Sequence, residues 1–215
     1  MNLRRLTSAF TAIAMTGAVF ATIAAPAEAG DKHKLGNRSL ATVLAADGSG
    51  FDKNPHDFDI LENAVLAVLA AKPDSPVGLL ADGKVRLTAF APTDAAFRHL
   101  TADLTGKRIK SERKVFKTLA GAAGIDTVEA VLLYHVVPGA TITYKQALKA
   151  NGAKLPTALD GATIKVKVRG KRVILVDKDK DARNPRVIMR LRNINKGNKQ
   201  IAHGIDRVLR PIDLP

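Results

Sequence analysis

Two imidazoles stand where side chains could do chemistry: His135, in the run AVLLYHVVPGATI at 130–142, and His203, in IAHGIDRVLRPIDLP at 201–215. An imidazole can titrate near neutral pH, ligate a metal or act as a base. Neither histidine has a nucleophile beside it. No G-x-S-x-G elbow occurs, and Ser39, Ser49, Ser75 and Ser111 fall at helix caps or in loops. The absence of H-E-x-x-H, of paired histidines at helical spacing and of any cysteine removes the usual zinc arrangements. Glycine-rich phosphate loops of the G-x-G-x-x-G or G-x-x-x-x-G-K-[ST] kind are also missing. Asp177, Asp179 and Asp181 alternate in DKDKD like the start of a calcium loop. The sixth position is Ala182 where a glycine is needed, however, and the twelfth is Ile188 where a bidentate glutamate is needed. Asp47, Asp52, Asp57 and Asp59 form a denser acidic stretch without motif spacing. No catalytic residue, metal or cofactor is assigned on these grounds. Asn37-Arg38-Ser39 fits a glycosylation sequon, a short pattern of little weight by itself.

The elements that must position these residues are legible from period and punctuation. Arg86 to Ala91 alternates as a short strand, and Pro92, which has no N–H to donate, should end it. Thr93 suits a helix N-cap, with Asp94 in the first turn and Ala96, Phe97 and Leu100 on the buried stripe. Asp126 and Glu129 stand in the D-x-x-E order of a capping box ahead of Val128, Val131, Leu132 and Tyr134. Pro138-Gly139 turns the chain after that helix. Ser39 should cap a first helix, Asp59 and Glu62 a second over Ile60–Ala71, and Tyr144–Ala150 reads as a short helix closed by Asn151-Gly152. Lys107 to Leu119 is basic and partly helical, and Ile201 to Pro211 reads as a last strand. Strands dominate after residue 154, and there is neither an internal repeat nor a linker long enough to separate two domains.

Read in order, three segments resemble the boxes of the fasciclin-like domain family. RLTAFAPTDAAFRHL at 86–100 is similar to its opening strand and F-A-P-T-D-x-A-F. AVLLYHVVPGATI carries its Tyr-His dipeptide at a helix end, and IAHGIDRVLRPIDLP resembles its closing box. The resemblance covers residues 37–215 and implies an α/β (α+β) fold: a fasciclin-like wedge, a mostly antiparallel β-sheet covered by several α-helices, in a single domain at 39–215. It also implies a non-enzymatic adhesion or matrix-interaction role, since the family's Tyr-His pair has been linked to cell adhesion. The box residues Asp94, Tyr134, His135, His203 and Asp206 are therefore candidates for adhesion. Each also has a structural use, as a cap, a helix-end anchor or a turn partner. Arg210 stands where the family often has an apolar residue, which predicts a last strand ending in solvent.

Residues 1–29 read as a signal peptide. Arg4 and Arg5 form the charged region, Leu6–Ala25 is apolar or small, and Ala27-Glu28-Ala29 gives the small-x-small pattern, so cleavage is expected before Gly30. Residues 30–38 (GDKHKLGNR) should form a flexible arm. No cysteine is available for a lipid anchor, and no other run approaches the ~20 apolar residues of a membrane span. A secreted, extracellular bacterial protein without disulfides or a transmembrane segment in its mature chain is the expectation.

Without the leader, 32 basic and 19 acidic side chains remain, so the mature chain is strongly positive. Thirteen Lys or Arg and three Asp lie between Lys165 and Lys199, which concentrates that charge in the second half. In TIKVKVRGKRVILV, Lys165, Lys167 and Arg169 alternate with Ile164, Val166 and Val168, and Gly170-Lys171 turns a hairpin toward Arg172. One face should be buried and the other a basic row. That row would either guard a solvated edge or attract polyanions. The partners expected are cell-surface or matrix proteins or anionic polysaccharides. With no Trp and two Tyr, stacking on single-stranded nucleic acid or flat sugar faces is disfavoured, and no specific nucleic acid is expected. A basic polysaccharide-binding or anionic-polymer-binding module is the alternative to protein adhesion, and an uncharacterised hydrolase the third class. Neither composition nor motif fixes the oligomeric state.

Overall fold

The computed structural model describes residues 34–48 and 50–213, so the expected leader and its cleavage site lie outside the described residues. A mixed α+β architecture is seen, with helices from the first half packed on strands drawn mostly from the second. The helices are α1 (Leu40–Leu44), α2 (Asp59–Ala71), α3 (Asp94–Thr105), α4 (Glu112–Tyr134) and α5 (Tyr144–Lys149). The strands are β1 (Leu87–Pro92), β2 (Val136–Pro138), β3 (Lys154–Pro156), β4 (Thr163–Arg169), β5 (Arg172–Val176) and β6 (Gln200–Ile205).

Two three-stranded sheets form instead of one, in the orders β2-β1-β6 and β3-β4-β5. Both pairings of the second sheet are antiparallel. In the first, β1 runs antiparallel to β2 but parallel to β6, with Phe90 opposite His203. Alternation does not reveal this parallel pairing, because β1 and β6 are buried along their whole lengths. One apolar cluster, with Ile60, Val68, Leu87, Val115 and Leu132, joins α2, α3 and α4 to the first sheet. A second, with Tyr134, Tyr144, Ile164, Leu175 and Leu209, fills the space over the hairpin sheet.

Several local expectations hold. Ser39 Oγ accepts from Thr42 N at 3.2 Å and caps α1. Thr143 and Gln146 form a complete capping box on α5. Others are corrected. The arm is held from Gly36 onward: Gly36 N donates to Gly197 O at 2.8 Å, and Arg38 Nε to Asn195 Oδ1 at 2.9 Å. Asp126 and Glu129 are not capping partners, because both carboxylates reach Lys72 Nζ at 2.5 Å. The chain instead breaks its helix at Gly124, whose φ of 73° and ψ of 163° interrupt α4; the positive φ favours glycine there. β6 ends at Ile205, and Arg210 is buried rather than solvent-facing. Its guanidinium pairs with Asp179 at 2.9 Å and with Asp103. Two carboxylates from distant segments make burial of this charge tolerable.

Candidate functional site

The box residues divide by what their surroundings permit. Tyr134 and His135 end α4, and both are buried. Tyr134 donates from Oη to Thr163 O at 3.1 Å, and burial, with Asp177 adding to it, pushes its hydroxyl up to about 12. His135 Nδ1 lies 2.7 Å from Val131 O, and its Nε2 accepts from Leu209 N at 2.9 Å. This fixes the neutral tautomer with the proton on Nδ1. Burial holds the imidazole down at about 4, against the smaller upward pull of the Val131 carbonyl. The dipeptide therefore ties the end of α4 to the hairpin sheet and to the chain after β6, and neither ring is free to touch a partner.

His203, in β6, is likewise enclosed. Nε2 lies 2.8 Å from Ile142 O, Nδ1 accepts from Asn193 N at 3.3 Å, and burial lowers its basicity. Asp206 Oδ1 accepts from Arg186 N at 2.7 Å. Asp94 is fully buried, and it caps a helix other than its own. Its Oδ1 accepts from Ile60 N at 2.9 Å, at the start of α2, while Thr93 makes no side-chain cap on α3. Burial pushes the Asp94 carboxyl up to about 8, with the adjacent Asp57 adding to the rise and the Ile60 N–H opposing it. Asp94, Tyr134, His135 and His203 are thus buried, Asp206 is partly exposed, and the five form no common surface.

The calcium-like run is also spent structurally. Asp179 Oδ1 accepts from Ala182 N at 2.8 Å and from Asp181 N at 3.1 Å, and Asp177 Oδ2 accepts from Arg210 N at 2.9 Å. An apolar cavity of about 390 Å³ lies between α3, α4 and residues 208–212. Phe97, Leu104, Phe116 and Ile212 line it; Thr127 and Arg210 are the lining residues with polar side chains, and Arg210 is already paired. Acid–base chemistry needs convergent titratable groups, which this cavity lacks.

The surface that does assemble is the outer face of β3-β4-β5. Ile164 and Val166 point into the core, while Lys165, Lys167 and Arg169 are exposed, as the alternation requires. Gly170 and Lys171 make the turn, and Lys171 and Arg172 are exposed beside the row. The pairing adds a residue the sequence reading passed over. Lys154 in β3 lies directly opposite Lys165, and Arg169 lies directly opposite Arg172. Like charges facing one another across strands destabilise a sheet. None of these six side chains makes an ion pair among the described residues. Lys154 could have been found by testing the register of the KLP segment against the hairpin, since the two Lys must meet once Pro156 faces Thr163.

Comparison with known proteins adds the following. The family description "Fasciclin domain" matches residues 68–211. No match is found among curated proteins. Among solved structures, the chain is similar to a FAS1 domain pair from the insect cell adhesion molecule fasciclin I. The TM-score is 0.50 at 18% identity, and the match covers 73% of this chain and 48% of that one. The likeness concerns the fold, and the chain spans about half the length of that domain pair.

Proposed function

Because the chain belongs to the fasciclin domain family, known in adhesion-related proteins, we propose that it is a non-enzymatic module working outside the cell, adhering to anionic matrix or cell-surface polymers through its basic sheet face. The observation that carries this reading is the like-charge register: Lys154 against Lys165 and Arg169 against Arg172, beside Lys167, with no ion pair to relieve it among the described residues. A face serving only as solvated exterior gains nothing from such an arrangement. A polyanion laid across it neutralises all of these charges at once. Direct contact by the Tyr-His pair is not part of the proposal, because both side chains are enclosed.

The test is binding of the mature protein to polygalacturonate and to neutral dextran at about 50 and 300 mM NaCl, where screening of exposed charges differs most. Binding to the acidic polymer alone, weakened by salt, is expected. The triple variant Lys165→Glu, Lys167→Glu, Arg169→Glu should weaken it by about tenfold or more while its melting temperature holds or rises, because two facing like-charge pairs become opposite-charge ones. Equal binding to both polymers, or binding indifferent to salt and to the triple variant, overturns the basic-face reading. If the fold stays intact and protein partners are still retained, adhesion through another surface replaces it.

A further inference from the structure

Three helices begin at one place. Asp59 is the first residue of α2, Asp94 of α3 and Glu112 of α4, and all three side chains are buried. One carboxylate oxygen from each lies within 4.8 Å of the others, and Asp52 and Asp57 converge on Asp59 in the same way from the preceding loop. Carboxylates at helix starts are ordinary when they accept the free N–H groups of the first turn. At α2, Ile60 N already donates to Asp94 Oδ1 and Asp59 Oδ2 accepts from Asp52 N, while N–H groups at the starts of α3 and α4 are taken by other acceptors. Asp94 N donates to Asp57 O, Ala95 N to Pro55 O, Ala96 N to Thr93 O and Lys114 N to Ser111 Oγ. Asp94 Oδ2 and Glu112 Oε2 are consequently left with no hydrogen-bond partner, although Asp94 is fully buried and Glu112 is 1% exposed. Arg98 answers part of the negative charge, through Glu112 Oε1 at 2.5 Å.

We propose that Asp59, Asp94 and Glu112, with Asp57 and Asp52 leading to solvent, form a binding site for one Ca²⁺ ion that ties the starts of α2, α3 and α4 together. The donor set is oxygen alone, which suits a hard cation over zinc or copper. Ca²⁺ holds carboxylate oxygens at ~2.3–2.6 Å, so three oxygens this close together need only a small side-chain movement to share one ion. Asp52, which is exposed, gives the ion a way in from solvent. Sequence spacing misses the site because its ligands come from three segments, 35 and 18 residues apart. The competing occupant is a proton on Asp94, shared with Asp57 Oδ1, which likewise lacks a partner.

The experiment uses the mature protein, stripped with a chelator and held at pH 8.5 to limit competition from protons. Calorimetric titration with CaCl₂ should show one ion per chain, and the melting temperature should rise with added Ca²⁺, as mass action requires when a ligand binds the folded state. Eu³⁺ in place of Ca²⁺ should show a luminescence lifetime longer than that of the free hydrated ion, because buried carboxylates displace its water. Asp59→Asn and Glu112→Gln should each weaken binding by about tenfold or more, since each removes a charged ligand. Asp94→Asn also disturbs the cap on α2 and is not needed. If those two variants fail to fold, amide NMR of the wild-type chain with and without Ca²⁺ decides. Shifts centred on Ile60, Ala95 and Arg113 support the site. No binding, a Eu³⁺ lifetime equal to the hydrated ion, shifts centred elsewhere, or unchanged affinity in folded variants each overturns it, and the proton is then the occupant.

Discussion

Lowering the pH from 7 to 5 should destabilise the fold through His135, by an amount the buried imidazole fixes. In the folded chain burial holds this group at about 4, against 6.5 for an ordinary histidine. Its folded pKa is depressed, so the unfolded chain takes up the proton first. The stability contributed by keeping the ring neutral is complete above about pH 6.5 and is lost as the pH falls toward 4. At about 1.4 kcal/mol per pH unit, the whole loss is about 3 kcal/mol, of which about 2 kcal/mol has gone by pH 5. Protonation also forces Nε2, which accepts from Leu209 N, to become a donor facing a donor. Asp94 and Asp177 work the other way. Burial raises them to about 8 and about 6, so both favour the folded state as the pH falls. The comparison must therefore be differential. Urea unfolding followed by circular dichroism, on wild type and His135→Gln at pH 7, 6 and 5, cancels the carboxyl terms. Gln keeps a donor and an acceptor but does not titrate. The stability gap between the two proteins should close by about 2 kcal/mol between pH 7 and pH 5. Parallel profiles, with a constant gap, would refute the reading of His135 as a buried neutral anchor.

Three further perturbations probe other parts of the molecule. Arg210→Ala leaves Asp179 buried with its ion-pair partner gone. It should cost about 3–5 kcal/mol, measured by chemical denaturation; a loss under about 1 kcal/mol would show that the pair is not needed. Lys154→Glu replaces the like-charge pair with Lys165 by an opposite-charge one. It should raise stability by about 0.2–1 kcal/mol while weakening polygalacturonate binding, and a gain in both would separate the face from the function. Gly204→Ala places a Cβ 2.6 Å from Leu191 Cβ. It should lower stability by about 1–3 kcal/mol, visible as a drop in melting temperature, and an unchanged melting temperature would mean the 3₁₀ turn at Met189–Leu191 yields freely.

What the sequence determined by itself is what depends on neighbours along the chain. The cap at Ser39, the short helix before Asn151, the turn at Gly170 and the inward and outward alternation of Ile164–Arg169 are each set by backbone preference and period, and each is found in place. The three boxes, matched as units, also carried the fold class. Tertiary structure decided everything that requires two distant segments to meet. Thr93 and Asp94 look like a self-contained helix start, yet Asp94 serves the start of α2, because folding brings Ile60 N within 2.9 Å of its carboxylate. Arg210 looks like a strand end bound for solvent, yet Asp103 and Asp179 arrive from elsewhere to receive it. The parallel pairing of β1 with β6 joins residues more than a hundred positions apart, and two strands buried on both faces leave no alternation to announce it. Lys154 gains its meaning only from register, and Asp59, Asp94 and Glu112 only from convergence. Local sequence specifies torsions and faces; which faces meet is settled by burial of the whole chain, and charges are placed by that burial rather than by their neighbours in sequence.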